Sequence, residues 1–264
     1  MGGGDGLLCV MSEFLYAAEL KKIFRCYGHF YRLNVTGAEP LLCRSVLEIT
    51  SLPREAVGSG TDPSDLFSSG ENYHTCASVI KEKALNLPDA IVIMMNPGGS
   101  RPLEEGDTDR VLDMPLPSGF KKPLVLTQPD NTQYQLMRIM VSKHWKHIRI
   151  LNISDIRDPK SPSFIARTKA LDGIEGGGRH SLFSEARSNE RATLLKHKPG
   201  APLILGWGQD AGLIPLAKQC LDCIEGERIV TIPSEKNPIL TAHPSPMMQD
   251  KKEEWINNIL IALG

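Results

Sequence analysis

One stretch limits what this chain can fold into more than any other: Ala90-Ile-Val-Ile-Met-Met-Asn-Pro-Gly-Gly-Ser-Arg101, an unbroken apolar run that stops at an amide, a proline, two glycines and a hydroxyl. Apolar residues without polar alternation suit a strand covered on both faces, as in a parallel sheet flanked by helices. Pro97, Gly98 and Gly99 end it abruptly and leave backbone N–H groups exposed. In an open α/β sheet, ligands bind at loops on the carboxyl ends of such strands. The same residues also make an ordinary turn, so the loop gains meaning only from what the rest of the chain sets beside it.

The pattern then repeats. Leu136, Met137, Met140, Val141, His144 and Trp145 recur at helical spacing and lead into the apolar strand Ile148 to Ser154, with His144 and His147 read as helix-end residues. Pro202 to Gly208 is a third apolar strand, followed by Asp210 as a cap and a helix carrying Leu213, Leu216, Ala217 and Cys220. Arg228 to Ile232 reads as a fourth strand, and Thr241-Ala-His-Pro-Ser-Pro246 as a second polar loop. The chain closes on an amphipathic helix with Asp250 and Glu253 as a capping box. Strands alternating with helices predict an α/β fold: a three-layer α/β/α sandwich with a mostly parallel central sheet over residues 89–264. Residues 1–88 read as lead-in strands and a helix packed on that sheet, with strands near Phe30 to Val35 and Leu41 to Ile49, a loop over 53–70 and a helix over 73–87. Leu103 to Gln128 has no clear period and reads as an excursion over the sheet edge.

At 264 residues the chain is long enough for one large domain, and 41% hydrophobic with 23% charged residues is ordinary for a soluble protein. No apolar run approaches the roughly 20 residues of a membrane span, and the first residues carry no secretory pattern, so a cytoplasmic location without a membrane partner is expected. Of six cysteines only Cys220 and Cys223 form a Cys-x-x-Cys, inside a helix and without partners at ligand spacing. Buried free thiols are expected, and no metal or cofactor is implied. The triple glycine at 176–178 lacks the lysine of a phosphate-binding Walker loop and does not follow a strand, so it reads as a flexible loop. A net charge of −1 argues neither for nor against a nucleic-acid partner; any basic surface must be local.

Three strand ends, Met95-Asn-Pro-Gly-Gly-Ser, Ile150-Leu-Asn-Ile and Thr241-Ala-His-Pro-Ser-Pro-Met, occur in this order with Leu205-Gly-Trp-Gly between the second and third. The ordered set resembles the uracil-DNA glycosylase superfamily. Asn-Pro-Gly is similar to the first motif of its mismatch-specific branch, and His-Pro-Ser-Pro to the second motif of its uracil-specific branch. The first strand and Asn152 to Pro159 also resemble a family of small bacterial proteins of unestablished function.

The resemblance implies hydrolysis of the N-glycosidic bond of a base flipped out of single-stranded or mismatched DNA. Asn96 stands where the superfamily positions the attacking water, and His243 where an imidazole hydrogen-bonds the base carbonyl as charge develops. Asn152 stands where an amide reads the edge of the base. Met247 falls where an apolar side chain wedges into the duplex, while Ser100 and Ser245, with Pro97, Gly98 and Gly99, fall where substrate and backbone phosphates are held. Gly98 replaces the aromatic with which the uracil-specific branch excludes thymine, so strict uracil selectivity is not implied. No stacking aromatic is evident apart from Phe120. Each residue also has a plain structural reading: the two asparagines as turn braces, His243 as a histidine before a proline-rich turn, Met247 as core. Two other functions fit the same residues, a catalytically inactive nucleotide or nucleic-acid binding module and a hydrolase of a small nucleoside-like substrate.

Overall fold

A computed structural model describes residues 14–35, 39–52, 87–104, 111–113, 124–174 and 176–264. The helix expected over 73–87 falls outside these residues except at Leu87, and the loop over 53–70, Phe120, Cys9 and Cys76 also lie outside them. Helix α1 (Ala17–Ile23) leads into the long strands β1 (Phe24–Asn34) and β2 (Leu41–Ser51). Next come β3 (Ala90–Met94), the short β4 (Arg101–Pro102), β5 (Val111–Asp113) and β6 (Val125–Gln128), then α2 (Asn131–Ser142) and β7 (His147–Asn152). Helices α3 (Ser161–Asp172) and α4 (Ser188–Leu194) precede β8 (Leu203–Gly206), α5 (Ile214–Cys223), β9 (Ile229–Thr231) and α6 (Gln249–Leu263).

The strands form one sheet in the order β4-β6-β1-β2-β7-β3-β8-β9, with β5 beside the end of β1. In the parallel strands side chains alternate between two cores. Ile91 and Ile93 of β3, Leu203 and Leu205 of β8 and Leu151 of β7 face a layer that includes α3 and α5. Ala90, Val92, Met94, Ile148, Ile150 and Ile204 face the layer of α1, α2 and α6. Helices therefore flank the sheet on both faces.

Several expectations need correction. The sheet is mixed rather than mostly parallel: β7, β3, β8 and β9 run parallel, whereas β2 is antiparallel to both β1 and β7, and β6 to both β1 and β4. The link between β1 and β2, residues 35–40, is far too short for a crossover and forces the antiparallel pairing. Nor are β1 and β2 packed on the sheet; they are hydrogen-bonded into its middle. Their sequences hide this because His29, Arg44 and Glu48 interrupt the apolar pattern, yet all three are buried, at 1%, 0% and 9% exposure.

Local chemistry sets the helix starts. The Asp130 carboxylate accepts from Thr132 N–H at 2.8 Å while the Gln133 amide oxygen accepts from Asp130 N–H at 2.6 Å, a complete capping box for α2. Asp210 accepts from Gly212 N–H in the turn before α5, as its position suggested. The capping box expected at Asp250 and Glu253 does not form. Helix α6 starts at Gln249, so Asp250 lies inside its first turn, where it complements the dipole, and Glu253 accepts from the Gln249 amide instead. His147, expected at a helix end, opens β7 and contacts Glu48. No helix among the described residues is long and apolar enough to cross a membrane, and none of their His, Cys, Asp and Glu side chains cluster in threes for a metal.

Candidate functional site

The parallel strands run, in spatial order, β7, β3, β8, β9, so the chain leaves β3 toward one side and β8 toward the other. Helix α2, which precedes β7, belongs to one helix layer, and α5, which joins β8 to β9, to the opposite one. The crevice between the carboxyl ends of β3 and β8 is thus a topological switch point, the place where open α/β sheets bind ligands. Met94, the last residue of β3, lies level with Asn152 on one side and Gly206 on the other. The Asn-Pro-Gly-Gly loop, Asn152 and the end of β8 are therefore neighbours, as the motif order suggested.

The His243 loop reaches the same place. A Cβ on Gly206 would lie 2.9 Å from Cδ of Pro244, so the loop packs directly on the strand end and only glycine fits beneath it. Three hydrogen bonds hold the segment down: Trp207 N–H to Thr241 Oγ1, the Trp255 indole to Ala242 O and the Gln135 amide to Pro244 O. His243 is half-buried and accepts Ser245 N–H at Nδ1, at 3.1 Å. This bond fixes the neutral tautomer with its proton on Nε2. Burial holds the imidazole below its ordinary value of 6.5, while the nearby Asp130 opposes the shift. His243 is accordingly a neutral N–H donor at pH 7.

Asn152 is wholly buried, and neither end of its amide has a hydrogen-bond partner among the described residues. Such an arrangement costs roughly 1–3 kcal/mol per unmet group, which makes it rare in a core built for stability alone. Asn96, by contrast, is committed to its own loop. Its Nδ2 donates to Asp158 O at 2.6 Å and its Oδ1 accepts Gly98 N–H at 3.1 Å, leaving one N–H and one carbonyl lone pair for anything else. Gly98 sits at φ +63°, a conformation this turn reserves for glycine. Pro97 and Ser100 are buried; the Ser100 hydroxyl donates to Pro97 O, so it faces into the loop and away from solvent. Gly99 is exposed, with its N–H on the Asp130 carboxylate at 3.0 Å. Met247 is 98% exposed, so it is not a core residue.

Sequence reading missed the groups around the loop. Arg44 of β2 is fully buried and donates from Nη1 to Ser100 Oγ, while its Nε and Nη2 have no partner among the described residues. Burial pulls its guanidinium down to about 10, with Asp130 opposing and Arg157 adding to the shift. Gln133, also wholly buried, has an unpartnered amide nitrogen in the first turn of α2. An arginine inside a strand and a glutamine inside a capping box carry no recognisable motif; only the sheet order brings them to this end.

Other polar clusters are structural. Ser154, His180 and Asp172 form a hydroxyl–imidazole–carboxylate chain at 2.9 and 3.2 Å. The serine meets Nδ1 and the carboxylate Nε2, the reverse of a hydrolytic triad, and Ser154 is wholly buried and accepts Ile156 N–H. The triple glycine packs against α3, where a Cβ on Gly177 would lie 1.7 Å from Leu171 O. Burial raises the thiols of Cys26, to about 12, and of Cys43 and Cys220, which leaves them unreactive. A cavity of about 500 Å³ opens among α1, α2 and α6, but its Arg138 is already bound to Leu15 O and Gln135 Oε1. Comparison with models of known protein families, with curated proteins and with solved structures gives no match.

Proposed function

We propose that the chain hydrolyses the N-glycosidic bond of a nucleobase held at the carboxyl ends of β3, β7 and β8, in the manner of the uracil-DNA glycosylases that its motifs resemble. The observation that carries this reading is Asn152: a wholly buried amide beside the switch point whose donor and acceptor are both unspent. The edge of a flipped base, which offers a carbonyl next to a ring N–H, matches that pair of groups. The parallel strands and the two helix layers supply the framework such a site requires.

His243 then supplies electrostatic stabilisation. Its Nε2–H donates to a base carbonyl and strengthens as the C–N bond breaks and negative charge gathers on the leaving base. A donor of this kind is worth about 2.7–4 kcal/mol of barrier, or 10²–10³ in rate. Asn96 holds a water through its remaining carbonyl lone pair but cannot take its proton, so the reaction depends on a bond already well dissociated when water attacks. Met247, exposed just before α6, is placed to enter the stack that the base vacates, and unstacking costs a few kcal/mol. DNA, single-stranded or mismatched, is the substrate this reading favours.

The test is base release from single-stranded and mismatched oligonucleotides carrying uracil, hypoxanthine, xanthine or alkylated bases. Release by the wild type that falls about 10²–10³-fold in His243→Ala and measurably in Asn96→Ala supports the proposal. Release unchanged in both variants, or absent with every substrate, refutes it.

A further inference from the structure

The nucleobase reading leaves one group unused. Arg44 is wholly buried, at 0% exposure, yet its Nε and Nη2 have no partner among the described residues. It is not isolated. The segment carrying Arg157 is bridged to β2, with Cys43 paired to Ile156 and Arg157 N–H donating to Leu42 O at 2.8 Å; the Nε of Arg157 has no partner among the described residues, its charge opposes that of Arg44, and Arg101 opposes that of Arg157. None of the three makes an ion pair within 4 Å among the described residues; Arg101 is bound only to the neutral Gln128 amide. Asp130 acts on both Arg44 and Arg157, and Asp155 on Arg44, but the two oxygens of Asp130 already accept Thr132 N–H and Gly99 N–H and Asp155 Oδ2 is paired with Arg187 at 2.8 Å. Three cations thus gather around the Asn-Pro-Gly-Gly loop of a chain whose net charge is −1.

Geometry places this cluster beside the base site. Leu47 of β2 pairs with Ile150 of β7, so Arg44 lies beyond that pair, level with the carboxyl end of β7, and Arg44 N–H donates to Asp155 O. Asn152 is the last residue of that strand, and Arg44 holds Ser100 in the loop that follows β3. A guanidinium with two adjacent N–H groups free presents the planar fork that matches a phosphate.

We propose that Arg44 and Arg157 form an anion subsite that takes a phosphate group of the substrate, so that the chain acts on phosphorylated nucleotides or nucleic-acid strands rather than on free nucleosides. The proposal rests on the nucleobase reading of the same strand ends and adds the substrate class to it. The anion satisfies the free N–H groups of Arg44 and offsets the repulsion between the arginines.

The experiment titrates the full chain, at ionic strength fixed with chloride, with inorganic phosphate, deoxyuridine, deoxyuridine monophosphate and a single-stranded oligonucleotide, reading calorimetric Kd and the shift in Tm. Deoxyuridine monophosphate binding about tenfold or more tighter than deoxyuridine, with that preference lost in Arg157→Gln and Arg44→Met, supports the subsite. Arg157 is the less buried of the two, so its variant carries the test should the Arg44 variant fail to fold. Binding of the monophosphate or of inorganic phosphate identifies a terminal phosphate; binding of the oligonucleotide alone, lost in Arg157→Gln, identifies a strand backbone. Equal affinity for nucleoside and nucleotide, or a preference that survives Arg157→Gln, overturns the proposal. The two readings fail separately. A phosphate preference without base release keeps the subsite and ends the glycosidic reading, whereas base release indifferent to phosphate and to Arg157→Gln does the reverse.

Discussion

Strands β2 and β7 carry buried polar residues at both ends of their shared ladder, and the two ends are built differently. Where β7 begins, Glu48 accepts from Arg149 Nε at 2.7 Å and meets His147 Nε2 at 2.6 Å, and Arg149 donates further to the carbonyls of Leu194 and Lys196. Where β7 ends, Arg44 and Asn152 are more deeply buried still, yet four of their nitrogen and oxygen atoms have no partner among the described residues. Both ends are buried, and they differ in the degree of satisfaction: at the Glu48 end the one such atom among the described residues is His147 Nδ1. A group that cannot be displaced by ligand gains from having every bond made at home; a group that must bind something cannot spend its bonds in advance. The contrast supports, without appeal to any motif, the proposal that the carboxyl end is the working end.

The largest expected effect lies at the satisfied end. Glu48→Ala leaves Arg149 buried without its counter-charge, and loss of one partner from such a pair costs about 3–5 kcal/mol. Urea unfolding checks this: the midpoint drops while the slope stays constant. A loss under about 1 kcal/mol would place Glu48 among exposed surface pairs and erase the contrast.

The opposite sign is expected at the other end. Asn152→Leu removes a buried amide that nothing satisfies and replaces it with an apolar group of similar size, a change worth about 1–3 kcal/mol of added stability. Base release should disappear at the same time. Stability gained where activity is lost is the signature of a residue kept for function. If the variant is instead less stable, the amide is holding the structure together and the comparison breaks. Arg44→Met is intermediate: the Ser100 hydrogen bond is lost, but no ion pair is broken, so stability changes by no more than about 1 kcal/mol.

The same difference explains how much could be read from sequence. Strands β3, β7 and β8 and the loops that follow them were legible because apolar runs ending in glycine, proline or asparagine admit few structures, while α2 was legible from 3.6-residue spacing and α5 from that spacing and the Asp210 cap. The placement of β1 and β2 was not. Arg44 and Glu48 look like solvent-facing residues of an edge strand, and only pairing across more than a hundred residues of chain reveals them as central. For the site, periodicity and motif order located Asn96, Asn152 and His243 at one end, while Arg44 and Gln133 stayed invisible because each is an isolated polar residue in an ordinary element. Nor does sequence tell an asparagine that braces its own turn, as Asn96 does, from one left unbonded, as Asn152 is. That distinction arises from the neighbours.

The smallest effect concerns the histidines, which repeat the contrast: His147 rests against a carboxylate, His243 only against a backbone N–H. Burial lowers the folded-state value of His243 below 6.5, so near and below that pH the unfolded chain binds a proton that the folded chain resists. Its contribution is therefore complete above pH 6.5, is lost as pH falls from there toward the lower folded value, and stays constant once both states are protonated. Each unit by which the value is lowered is worth about 1.4 kcal/mol across that window. Unfolding free energies of the wild type and His243→Gln, measured side by side from pH 7.5 downward, isolate this residue from the other six histidines. The difference between the two proteins should be flat above pH 6.5 and should shift against the wild type below it. A difference that does not vary with pH would mean that His243 titrates as freely as an exposed histidine, which would remove the argument that it stays a neutral donor under mildly acidic conditions.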